Sequence, residues 1–128
     1  MQENSPPDSV YALDLSGLLH PEVSVWTAWD EAELMGIGAL KQLSRSAGEI
    51  KSMRTDYRHL RKGVGLHILN HIIAVARERG YWRLSLETGS GAEFVAALSL
   101  YRKRGFENGE PFGHYKPTEF NQFLHLEL

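Results

Sequence analysis

The sequence predicts a mixed α/β layer in which helices pack on a largely antiparallel sheet. Three observations carry that expectation. Apolar and polar residues alternate in three consecutive segments between Val23 and Thr55, joined by short polar turns. Apolar residues then take helical spacing after Gly63 and again after Ser90. Between and beyond those helices, Trp82–Glu87 and Gln122–Leu128 return to alternation. Segments of period two interleaved with segments of period 3.6 bury their apolar faces against one another as helices on a sheet.

Met1 to Pro7 reads as an extended entry, because Pro6-Pro7 disfavours the helical region. Asp8 to Leu19 carries Val10, Leu13, Leu15, Leu18 and Leu19 at roughly helical spacing, and Pro21 closes it. Val23–Trp29 is a strand, Asp30–Glu33 a polar turn, and Leu34–Leu43 a partner strand. In that partner, Gly36 and Gly38 mark backbone that flexes or is closely approached. Ser44–Gly48 is a second turn and Glu49–Thr55 a third strand, with Ser52 or Met53 sharing the face of Ile50. Short turns make these three an antiparallel meander. From Val64, the positions Ile68, Ile72 and Val75-Ala76 share a helix face; Arg77, Glu78 and Arg79 solvate its last turn, and Gly80 stops it. Trp82–Glu87 is a strand. Ser90 to Glu93 has capping-box spacing and opens a second helix through Phe94, Leu98 and Tyr101 to a stop at Gly105. Gln122–Leu128 closes the sheet.

A chain of 128 residues has the length of one domain, taken here as residues 1–128. Its net charge of -2 gives no overall basic character, which argues against nucleic-acid and membrane-surface partners. Without cysteine there is no disulfide or thiol chemistry. The polar start lacks the basic and apolar regions of a signal peptide, and no apolar run is long enough to span a bilayer. A soluble, cytoplasmic protein is expected. His67 and His71, four apart, could share a helix face as metal ligands, but no HExxH pattern accompanies them; they read as a polar outer face, and no metal is expected. Trp26, Trp29 and Trp82 read as core or pocket wall, and Trp26, Trp29, His114 and Tyr115 are pocket-lining candidates that the sequence does not sort.

Positive charge is instead local. Arg54, Arg58, Arg61 and Lys62 cluster just before the long helix, in a pattern suited to a small anion. The segment Leu60-Arg61-Lys62-Gly63-Val64-Gly65 joins the third strand to that helix. Amide hydrogens at a helix start have no partner within the helix, and the helix dipole favours negative charge there. Gly63 and Gly65 remove side chains that would keep a pyrophosphate from the main chain. The spacing matches neither the P-loop nor the dinucleotide fingerprint. A plain turn is the alternative.

Gly48 to Gly65 (GEIKSMRTDYRHLRKGVG) resembles the acetyl-CoA motif of GNAT acetyltransferases, a strand, a short basic loop and then Gln/Arg-x-x-Gly-x-Gly/Ala. Leu100-Tyr101-Arg102-Lys103-Arg104-Gly105-Phe106 is similar to the family's Leu-Tyr-x-x-x-Gly-Phe. With Leu84–Ser90, the run especially resembles a branch of small, poorly characterised bacterial members. The resemblance implies that Leu60, Arg61, Lys62, Gly63, Val64, Gly65 and Leu66 hold the cosubstrate pyrophosphate. It also implies that Met53, Arg54 and Thr55 line the pantetheine arm, with the Met53 amide near the thioester carbonyl. Leu60 stands where Gln or Arg is usual, and the asparagine common early in the last helix is replaced near Phe94. By that resemblance the family's first strand-helix unit is missing before Val23, so a GNAT-like sheet shortened at its N-terminal side is expected.

The implied reaction is transfer of an acetyl group from acetyl-CoA to a primary amine of a small molecule, or of a peptide, by direct attack. Such transfer needs a base for the amine, a donor at the thioester oxygen and an acid for the departing thiolate. Glu49 stands where some family members carry the base; Glu87, at the end of the next strand, is the rival. Each could equally be a solvated or structural carboxylate. Tyr101 matches the family's general acid, and its spacing from Phe94 and Leu98 would also suit a core residue. A catalytically impaired CoA-binding module or an interaction domain is the alternative function. A sheet short of its first strand exposes an edge that a homodimer would cover.

Overall fold

The computed structural model describes residues 22–56 and 63–128, the region treated below. The expected helix at Asp8–Leu19 and the positions Leu60, Arg61 and Lys62 lie outside the described residues.

Six strands form one sheet in the order β1-β2-β3-β4-β6-β5. The strands are β1 Val23–Asp30, β2 Glu33–Gln42, β3 Ala47–Thr55, β4 Arg83–Gly89, β5 Glu107–Asn108 and β6 Asn121–Glu127. Helix α1, Val64–Glu78, links β3 to β4, and α2, Val95–Lys103, follows β4 after a 3₁₀ turn at Ala92–Phe94. All strand pairs are antiparallel except β3 with β4. That single parallel pair needs the crossover helix α1. The predicted largely antiparallel α/β layer is therefore the fold observed.

Both helices bury their apolar faces in one core. Ile68, Leu69, Ile72 and Ile73 of α1 and Leu98 and Tyr101 of α2 meet Leu40, Ile50, Leu84, Leu86 and Leu124 of the sheet. The close approach rests on two missing side chains. A Cβ at Gly38 would lie 2.6 Å from Ile68 and 2.7 Å from Met53, and one at Gly36 would lie 2.8 Å from Val64. Of the two readings of these glycines, the closely approached backbone holds.

Several boundaries differ from expectation for local reasons. The turn read as Ser44–Gly48 tightens, because Leu43 and Ser44 both donate to the Ala47 carbonyl, leaving Gly48 buried within β3. The capping box at Ser90 does not form. Gly91 is the cap residue with no side-chain cap bond, and Ser90 Oγ instead accepts from Gln122 Nε2 at 2.9 Å. Without that cap the segment opens as the 3₁₀ turn, and α2 starts only at Val95. The two-residue β5 was not anticipated, since two positions show no alternation. Trp29 and Trp82 are 49% and 55% exposed, not core. Trp26 is half-buried, edge-to-face on His71 at 5.3 Å. His67 and His71 are exposed, and no metal-binding group occurs among the described residues.

Candidate active site

The site begins with a kink in β3. Ile37 of β2 pairs with Arg54 and Ala39 with Lys51, so Gly38 faces both Ser52 and Met53. One extra residue on one strand is a β-bulge, and Ser52 carries the strain of it at φ 59°. The bulge shifts the alternation by one place. Before it, Gly48 and Ile50 face the helices; after it, Met53 and Thr55 do, Met53 Sδ beside Gly38 and Thr55 Oγ1 beside Gly65. Both residues weighed from the sequence thus share one irregular step, and Met53 takes the apolar side.

The kink also parts the sheet. The parallel ladder of β3 with β4 runs only from Ala47–Arg83 to Glu49–Ser85, whereas β4 stays paired with β6 as far as Gly89. Beyond Glu49 the two strands diverge. Main-chain groups of β3 that would have bonded β4 therefore line a wedge.

A cleft of about 640 Å³ fills that wedge. It is lined from both faces of the sheet. On the helix side stand Met53, Leu86, Phe94, Ala97 and Tyr101; on the opposite side stand Glu49, Lys51, Glu87 and Tyr115. Phe94 packs edge-to-face on Phe120 at 5.7 Å. Gly89 makes that possible, because a Cβ there would lie 2.5 Å from Phe94 and 2.6 Å from Phe120. All three expected catalytic candidates, Glu49, Glu87 and Tyr101, meet in this one cavity, together with Met53 and Arg54.

Each polar group is held differently. Glu49 is only 4% exposed, and its carboxylate accepts a hydrogen bond of 2.5 Å from the Tyr115 hydroxyl. Lys51 Nζ lies 3.9 Å from the same carboxylate oxygen and 3.4 Å from Tyr115 Oη. Burial first, then the Glu49 hydrogen bond and the charges of Glu49 and Glu87, push the Tyr115 phenol well above its ordinary range. Tyr101 is 6% exposed, its ring edge-to-face on Phe106 at 5.7 Å. Burial raises its phenol to about 12, partly countered by the positive charge of Arg54. Tyr101 thus belongs both to the core and to the cleft wall.

Sequence reasoning left Tyr115 unsorted among possible pocket residues. It comes from residues 109–120, which cross the second face of the sheet, with Phe112 packed on Phe123, His125 and Tyr115 at 5.9, 5.8 and 5.3 Å. An aromatic cluster in a Gly- and Pro-containing connection was the available signal.

At the mouth of α1, Gly63 is the N-cap in the left-handed region (φ 81°), and none of the described residues lies within 4 Å of where its Cβ would be. Among the described residues no side chain caps the helix, and no acidic residue occupies its first turn. Gly65 has a different duty: a Cβ there would meet Leu100 at 3.3 Å and Thr55 at 3.6 Å, so its absence lets α1 sit against α2 and β3. Val64 is buried in the core and Leu66 is 40% exposed.

A parted parallel strand pair leading to an uncapped helix mouth is joined by a sequence match. The profile of the Acetyltransferase (GNAT) family matches residues 2–106, most of the chain. The chain belongs to the GNAT acetyltransferase family. This GNAT domain is 56% identical to the uncharacterized N-acetyltransferase YsnE of Bacillus subtilis, over 97% of this chain and 82% of that protein. It is 48% identical to the uncharacterized N-acetyltransferase YedL of Escherichia coli, over 100% of this chain and 80% of that one. Its fold matches a GNAT acetyltransferase from Elizabethkingia anophelis with acetyl-CoA bound, at TM-score 0.74 and 21% identity, over 92% of this chain and 84% of the other. The GNAT protein is an acetyl-CoA-dependent N-acyltransferase. Its residues fit that cosubstrate: an uncapped helix start behind Gly63, a strand edge opened by the Ser52 bulge, and an apolar wall of Met53, Phe94 and Ala97.

Proposed function

We propose that the protein transfers the acetyl group of acetyl-CoA to the primary amine of a small molecule by direct attack, with Glu49 as base and Tyr101 as donor to the departing sulfur. The observation that carries this reading is the single cleft that brings Glu49, Glu87, Met53 and Tyr101 together between the parted strands. Beyond it, the diphosphate would rest at the α1 mouth, against the main chain from Leu60 through Gly63, Val64, Gly65 and Leu66, with Arg61 and Lys62 adding charge. The pantetheine arm lies along Met53, Arg54 and Thr55, and the Met53 amide hydrogen points at the thioester oxygen.

The chemistry then follows from the groups present. Glu49 takes the amine proton, directly or through water, as the nitrogen lone pair forms the C–N bond. The C–S bond breaks and its electron pair leaves with sulfur. A thiol titrates near 8.5, roughly, and Tyr101 near 12, so the phenol keeps its proton and stabilises the thiolate as a hydrogen-bond donor. Tyr115 holds the Glu49 carboxylate in place through its 2.5 Å bond. Glu87 faces the same side of the cleft and helps bind the acceptor amine. Much of the rate comes from holding amine and thioester together. We place the protein in the cytoplasm, and a homodimer would cover the edge that β1 forms among the described residues.

The reading is tested by coenzyme A release across an amine panel, with acetyl-CoA binding measured separately by calorimetry. Tyr101→Phe removes a hydrogen bond to a developing charge and is expected to lower kcat by about 10- to 100-fold while leaving acetyl-CoA affinity in place. Glu49→Gln is expected to cost roughly 100-fold or more in kcat/KM, within the span of general-base catalysis. Unchanged turnover in both variants would overturn the assignment.

A further inference from the structure

The main cleft does not end at Glu49. A second cavity of about 630 Å³ adjoins it and shares Glu49, Lys51 and Tyr115 with it. Whatever occupies this cavity lies next to the Glu49 carboxylate, on the sheet face opposite Tyr101 and the helices. We infer that it is the acceptor pocket and that the acceptor is an amino acid, carrying a carboxylate beside the amine that is acetylated. The inference rests on the acetyl-transfer reading and adds the acceptor class to it.

The charges argue for it. Lys41 pairs with Glu49 across β2 and β3, and Lys51 stands two places along β3, so both lysines share a sheet face with that carboxylate. Both line the cavity. Lys51 is only loosely engaged, 3.9 Å from Glu49 and 3.4 Å from Tyr115 Oη. With Glu22 also in the lining, the described residues of the cavity carry two cations and two anions, a balanced set. A polyamine would bring further ammonium groups against two lysines, and like charges in a partly desolvated cavity repel. A plain amine would add a third cation to that set and bring no anion of its own. An amine with its own carboxylate matches both signs at once, ammonium side to Glu49 and carboxylate to the lysines. Leu43 and the rings of His114 and Tyr115 complete the lining and suit an uncharged side chain.

The decisive comparison removes only the acceptor's charge. Each of the common amino acids is assayed beside its own amide, by coenzyme A release with the full-length protein. The preferred acid is expected to exceed its amide by roughly tenfold or more in kcat/KM, carried by KM, as befits a charge-assisted contact. Lys41→Met is expected to collapse that ratio to within about twofold, and Lys41→Arg to preserve it. Amides acetylated as well as acids, no acid acetylated at all, or a ratio unmoved by Lys41→Met would each overturn the inference. The first leaves acetyl transfer standing. Failure of the parent reading looks different: no amine of any kind releases coenzyme A, and acetyl-CoA produces no calorimetric signal.

Discussion

At the scale of single residues, two phenols line the cleft in unlike settings. Tyr115 serves a carboxylate and is pushed up mainly by burial and by Glu49, while Tyr101 is pushed up by burial alone and eased by Arg54. The Tyr101 shift makes a stability prediction. An unfolded tyrosine ionises near 10, roughly, whereas the folded Tyr101 holds its proton to about 12. Its contribution is whole below the unfolded value and is lost as pH rises through the folded one, a loss on the order of 2–3 kcal/mol. Urea denaturation at pH 9 and at pH 11 should show a decline that is smaller in Tyr101→Phe. An equal decline in both proteins would contradict the burial-driven shift. Tyr101 was legible in the sequence through its place in Leu-Tyr-x-x-x-Gly-Phe. Tyr115 was not, because a residue that acts from a long connection has no periodicity to announce which strand it will cover.

At the scale of elements, most of the sheet was legible because burial imposes period two on a strand whose faces differ. The exceptions mark where another demand won. The Ser52 bulge scrambles the alternation of β3, which is why the sequence left two residues competing for one face. The capping box failed because its serine hydroxyl is engaged by Gln122 on β6, a partner 32 positions away that no local pattern can reveal. Gly38 carries the prediction at this scale. Its missing Cβ would stand 2.6 Å from Ile68 and 2.7 Å from Met53, side chains of α1 and of the bulge. Gly38→Ala is therefore expected to destabilise the fold by about 1–3 kcal/mol, as overpacking does. It should also weaken acetyl-CoA binding, since it pushes on the wedge itself. Denaturant titration with calorimetry on the same protein would check both. A stable variant with native affinity would mean that α1 can drift from the sheet at little cost.

At the scale of the whole molecule, the fold class and the family were readable from two motifs at the right separation, and the profile match over residues 2–106 agrees with them. What the sequence could not display was that the cleft pierces the sheet. Tyr101 and Met53 approach it from the helix side, Glu49 and Tyr115 from the other. The cleft is thus lined from both faces of the sheet, and on the proposed reading the nucleotide substrate would reach it from one face and the nucleophile from the other. On that reading the two need not take turns, and no group on the protein has to carry the acetyl between visits. Initial velocities measured against one substrate at several fixed levels of the other should give double-reciprocal lines that intersect. Parallel lines, the mark of a shuttle through an acylated enzyme, would overturn direct attack.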